Sequence, residues 1–70
     1  MPPRLRNIKA ALREYDIEVV TGTKHYQARR GVDVYPIPAH NGEKSEVPDV
    51  YIRGLCRRFN IDEAEFRNKI

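Results

Sequence analysis

Gly22 and Gly31 cut the middle of this chain into three short runs, and that punctuation constrains the fold more than any other feature. Ile17-Glu18-Val19-Val20-Thr21 is β-branched and alternates at its start. A second run, Thr23 to Arg30, leaves the Gly22 turn. Val34-Tyr35-Pro36-Ile37-Pro38 follows a turn over Gly31 to Asp33. Three short strands joined by tight turns predict an antiparallel meander. Pro36 and Pro38 stand at alternate positions and both lack N–H donors, so the third strand should present that side to solvent at a sheet edge.

The flanks have a different period. Leu5, Ile8, Leu12 and Tyr15 follow Pro2 and Pro3 at helical spacing, with Ala10 and Ala11 between. They predict an amphipathic helix of about ten to twelve residues. Its other face carries Arg4, Lys9, Arg13 and Glu14. After a polar loop from Ala39 to Val47, Pro48 and Asp49 suit the first turn of a second helix, by fixed φ and by charge at the helix dipole. The stripe of that helix is Ile52, Leu55, Cys56 and Phe59, and Arg53, Arg57 and Arg58 lie opposite. Gly54 inside it costs roughly 1 kcal/mol against alanine, which implies close packing there. Asn60 can end the helix. Asp62-Glu63-Ala64-Glu65 then resembles a capping box, with Ile61 and Phe66 as a hydrophobic staple, and predicts a short last helix to about Lys69.

The sum is an α+β domain over residues 1–70: helix, three-stranded antiparallel sheet, helix, plus a short C-terminal helix. Two helices should cover one sheet face and leave the other open, the layout of a double-stranded-RNA-binding-domain-like fold. The expected core is Leu5, Ile8, Leu12, Val19, Tyr26, Ala28, Ile52, Leu55, Cys56 and Phe59.

Seventy residues give a core too small for a deep enclosed substrate cavity, so any activity should sit on an open face against a large partner. Thirteen Lys plus Arg against ten Asp plus Glu leave a charge of only +3, but the cations gather in the strands and from Arg53 to Arg58. A nucleic-acid partner fits that distribution, as does an ordinary solvated face. Cys56 is the only cysteine, which excludes an internal disulfide and a zinc site built on cysteines, and it reads as a small buried hydrophobe. No apolar run approaches a membrane span or a signal-peptide core, so a cytoplasmic protein with no membrane partner is expected.

Within Gly22-Thr23-Lys24-His25-Tyr26-Gln27-Ala28-Arg29-Arg30, strand alternation sends Tyr26 and Ala28 to the core. His25, Gln27 and Arg29 then share the wet side. An exposed imidazole among cations suits work on a phosphodiester, although an exposed strand histidine is also an ordinary feature. His40 reads as a second acid, an RNA contact or a loop-anchoring hydrogen-bond partner. Two histidines with no third conventional ligand close by do not make a metal site, and no cofactor is implied.

Three segments carry a resemblance. Gly22-Thr23-Lys24-His25 is similar to a Gly-Ser-His signature at the start of a second strand. Pro36-Ile37-Pro38-Ala39-His40-Asn41-Gly42 is similar to a Val-Pro-x-His-Gly-type strand end, and Tyr51-Ile52-Arg53-Gly54-Leu55-Cys56 to a Leu-Arg-x-Ile-Leu segment. From the first helix to about Phe59 the chain resembles the HicA toxins of bacterial toxin–antitoxin systems, small mRNA interferases of α-β-β-β-α shape. In the common signature the histidine follows Gly-Ser directly, whereas here Lys24 takes that place and His25 comes one later.

The resemblance implies a metal-independent endoribonuclease acting on single-stranded RNA or mRNA, silenced by a HicB-like antitoxin. It assigns His25 as general base, or as base and acid in turn. Lys24, Gln27, Arg29, Arg30, Lys44 and Arg57 are the RNA-contact candidates, and His40 a supporting residue. Tyr35 and Tyr51 are further candidates to stack on bases. The competing readings are a non-catalytic RNA-binding or regulatory module of the same fold, and a protein-interaction domain.

Overall fold

The structure, a computed structural model, describes residues 2–21, 25–39 and 42–70. Its elements run α1 (Leu5–Arg13), β1 (Glu18–Thr21), β2 (Tyr26–Arg30), β3 (Asp33–Ile37), a 3-10 turn at Gly42–Lys44, α2 (Asp49–Phe59) and α3 (Glu63–Arg67). The sheet is an antiparallel meander in the order β1-β2-β3. Val19, Ala28 and Tyr35 form one cross-strand row, and Thr21, Tyr26 and Ile37 the next. β3 is an edge strand, as its alternate prolines require.

The two helical stripes close over one face of this sheet. Leu5, Ile8, Leu12, Ala28, Ile52, Leu55, Cys56 and Phe59 are buried, while Val19 and Tyr26 are half-buried against them. Ile17, Ile37, Val47 and Phe66 join the core beyond the helical stripes. Phe66 is there because α3 folds back: the Asp62 carboxylate accepts from the Glu65 N–H at 3.1 Å, which starts the helix whose one aromatic residue is buried. Both long helices end alike. Asp16 and Asn60 take left-handed φ of 61° and 56°, and the next amides reach back, Ile17 N–H to Leu12 O at 3.0 Å and Ile61 N–H to Cys56 O at 2.8 Å. These are Schellman closures, and each turns the chain so that Ile17 or Ile61 returns to the core. The last helix stops at Arg67, with hydrogen-bonded turns carrying the chain through Lys69.

The segment read as a polar loop is a structural strap. The Leu5 N–H donates to Ser45 O and the Val47 N–H to Pro3 O, both at 2.8 Å, and Arg4 bridges Glu46 in antiparallel fashion. Ser45 and Val47 are thereby buried with their main-chain groups paired, which a free loop could not achieve. No helix among the described residues is long and apolar enough to cross a membrane.

Candidate nucleic-acid interface

The register divides the strand residues cleanly. Glu18, Arg29 and Val34 form one row on the open face, and Val20, Gln27 and Pro36 the row beside it. His25 occupies a bend immediately before β2 and is exposed. The structure therefore puts Gln27 and Arg29 on the open face of β2, Gln27 half-buried and Arg29 exposed, with His25 at the strand's entrance and Arg29 near its far end. None of these three side chains has a hydrogen bond or ion pair among the described residues. Glu18 stands directly opposite Arg29, so the face is not uniformly positive.

Arg30 is not part of this group. It shares the helix-side parity of Tyr26 and Ala28, and its guanidinium donates to Tyr15 O at 3.3 Å and Phe59 O at 2.9 Å. It also lies 5.5 Å from the centroid of the Phe59 ring. Carbonyls at the ends of α1 and α2 are acceptors left without helical partners, and Arg30 satisfies one of each. The same alternation that places His25 and Arg29 outward assigns Arg30 inward, so the signal was present in the sequence. In the structure this residue clamps the two helix ends together.

Lys44 is exposed on the 3-10 turn that packs on α1, away from the Gln27 row. Lys24 and His40, together with the Gly22 turn and Asn41, lie outside the described residues. Arg57 is exposed on α2 and lines an open groove of about 510 Å³ with Val34, Tyr35, Pro36, Gly54 and Arg58. Gly54 is what makes room here: a Cβ at that position would overlap the Tyr35 hydroxyl and lie 2.8 Å from its Cζ. The close packing expected around Gly54 is thus the approach of β3 to α2 through one tyrosine. Arg58 Nε donates to Val34 O at 3.3 Å on the outer edge of β3.

A second hollow, about 380 Å³, lies between α1 and β1 and is lined by Lys9, Arg13, Asp16, Glu18, Ile17 and Val19. Two bases from α1 face two acids there, so it offers no coherent potential to an anionic polymer. Cys56 is buried under α2, and burial followed by the charge of Glu63 pushes its thiol up. A raised pKa suppresses the thiolate, so Cys56 is a packing residue rather than a nucleophile. Among the described residues no group of three or more His, Cys, Asp or Glu side chains is placed to hold a metal ion.

No family model matches the chain, and no curated protein or solved structure matches it either.

Proposed function

We propose that this protein is an endoribonuclease toxin of a type II toxin–antitoxin system, cleaving mRNA in the cytoplasm with His25 as general base. The observation that carries the reading is the solvent-facing imidazole at the entrance to β2, beside a face that presents Gln27 and Arg29. The resemblance of Gly22-Thr23-Lys24-His25 to the HicA signature supports the same assignment. In this scheme His25 takes the proton of a ribose 2′-hydroxyl as that oxygen bonds to phosphorus. The bond from phosphorus to the 5′-oxygen breaks, and the departing oxygen acquires a proton from the resulting imidazolium or from water. Arg29 offsets charge developing on the phosphate. A HicB-like antitoxin covering the His25 face would silence it.

A specific observation favours a second reading, a non-catalytic RNA-binding module. No carboxylate or carbonyl among the described residues orients the His25 ring, whereas a general base usually has a partner that fixes its tautomer.

His25→Ala decides between them. If His25 is the base, the variant loses cleavage by ~100-fold or more and no longer arrests growth on induction, with a nearly unchanged melting temperature. A variant that keeps full cleavage removes His25 from the chemistry. A wild-type protein that binds RNA without cutting it supports the module.

A further inference from the structure

The groove between β3 and α2 differs in composition from the hollow between α1 and β1. Its lining is Val34, Tyr35, Pro36, Gly54, Arg57 and Arg58, which includes two cations and a phenol but no acid. Arg57 has no ion pair or hydrogen bond among the described residues, and neither does the Tyr35 hydroxyl. The other two cations of α2 are engaged: Arg53 lies 4.0 Å from Glu63, and Arg58, which lines the groove itself, donates to Val34 O. The groove thus sets the unpaired donors of Arg57 and Tyr35 beside an exposed apolar rim, Pro36, at a place where Gly54 keeps the wall low.

The groove also adjoins the open sheet face. Val34 is the cross-strand partner of Arg29, and Pro36 that of Gln27. Only β3 separates the Gln27–Arg29 strand from the edge of the sheet, a strand spacing of about 4.8 Å, and Arg57 lies beyond it on α2. A chain lying over the open face would reach the groove by stepping over β3.

The edge of β3 shows which kind of chain can do so. Val34 turns its carbonyl outward, where Arg58 takes it. By alternation Pro36 and Pro38 turn their ring nitrogens to the same side, and neither has an N–H to donate. An extended polypeptide therefore finds no ladder to extend. A polynucleotide needs none, because phosphate is recognised by side-chain donors and ribose or base by apolar and aromatic surface.

We propose that the β3–α2 groove is a backbone subsite for single-stranded RNA, in which Arg57, Arg58 and the Tyr35 hydroxyl hold one phosphate while the adjoining sugar and base rest on Pro36. It rests on the RNA-directed function proposed above and extends it: the strand engaged at His25 crosses the open sheet face and is held on the far side of β3. Arg57 is the main contact, since Arg58 also secures the strand edge.

The test is a salt titration of a short fluorescein-labelled single-stranded RNA binding to His25→Ala protein, which cannot consume the ligand if His25 is the base. Arg57→Gln and Tyr35→Phe are then added singly and together. Arg57→Gln removes no contact seen among the described residues and Tyr35→Phe removes only the approach of the hydroxyl to Gly54, so both variants should fold, and circular dichroism checks this. Arg57→Gln should weaken binding several-fold whatever the RNA sequence and reduce the slope of log K against log salt by about one, the signature of one lost phosphate contact. Tyr35→Phe should add a smaller loss. Binding by the parent with no change in affinity or slope in the double variant would overturn the groove while leaving RNA recognition intact. A parent that binds no RNA would overturn the proposed function, and the groove with it. A poly-glutamate peptide whose binding falls as much as that of RNA would reassign the site to an acidic protein.

Discussion

The two ends of this small domain treat their charges in opposite ways. Around α3 nearly every charged group is spent on another part of the chain. Arg67 bridges Glu63 at 2.8 Å and Asp49 at 3.1 Å, Lys69 reaches Glu14 at 3.0 Å, and the Tyr15 hydroxyl donates to Glu65 at 2.8 Å. Arg67 is held firmly protonated by its bonds first to Glu63 and then to Asp49. Around β2 and β3, His25, Gln27, Arg29 and Arg57 have no such partners among the described residues. A mildly basic chain can thus leave cations of the sheet uncompensated, because half of its ten acids are engaged where the tail is fastened. Net charge alone hides that separation.

The fastened end should dominate stability, though its ion pairs are not the main reason. Exposed pairs of this kind contribute about 0–1 kcal/mol each. Phe66 is fully buried, with its ring 6.1 Å from that of Tyr15, and it anchors the whole tail. Phe66→Ala should cost about 3–5 kcal/mol in denaturant unfolding. RNA affinity, measured where the variant is still folded, should be unchanged. A Phe66→Ala protein with full stability but weakened RNA binding would break the division between the two ends.

Neighbouring arginines sharpen the comparison within a single strand. Arg30→Gln should lower stability by about 1.5–3 kcal/mol, because it breaks charged hydrogen bonds to two carbonyls in a partly buried place. It should leave the salt dependence of RNA binding alone. Arg29→Gln should do the reverse, weakening binding and flattening the salt slope with little change in melting temperature. Glu18, directly opposite Arg29, supplies the converse: Glu18→Gln should tighten RNA binding modestly by removing a like charge from the path of the phosphates. If Arg29→Gln and Arg30→Gln behave identically in both assays, the sheet does not separate recognition from structure.

That pair also shows what was legible before the structure. Periodicity carried the fold: the Leu5-Ile8-Leu12 and Ile52-Leu55-Cys56-Phe59 stripes pack as their spacing requires, Asn60 ends α2, and Asp62 starts α3. Alternation along β2 carried the outward group, yet cation content drew attention to Arg30 although its parity placed it inward. Other features depend on partners distant in sequence. The pairing of Pro3 and Leu5 with Ser45 and Val47 joins segments of no shared pattern, and only the need to satisfy buried backbone groups explains it. Gly54 hinted at a close approach, but nothing local named Tyr35 as the residue that makes it. The identity of an element is a local matter, whereas the meeting of two elements is not.

The smallest expected effect concerns pH and belongs to the fastened end. Desolvation, then the hydrogen bond to Glu65, pushes the Tyr15 phenol up to about 12 from a usual 10.0. A folded-state pKa above the unfolded value means that the native protein holds this proton more tightly. The associated stability is fully present below about pH 10 and is lost as pH rises from there through about 12. Other tyrosines and the lysines titrate in the same range, so the measurement is a difference. The melting temperatures of wild type and Tyr15→Phe should follow separate curves below pH 10 and draw together above it, as wild type loses an interaction the variant never had. Parallel curves through pH 12 would mean that the Tyr15–Glu65 contact does not hold the tail. The docking of α3 would then rest on Phe66, with the charged fringe contributing little.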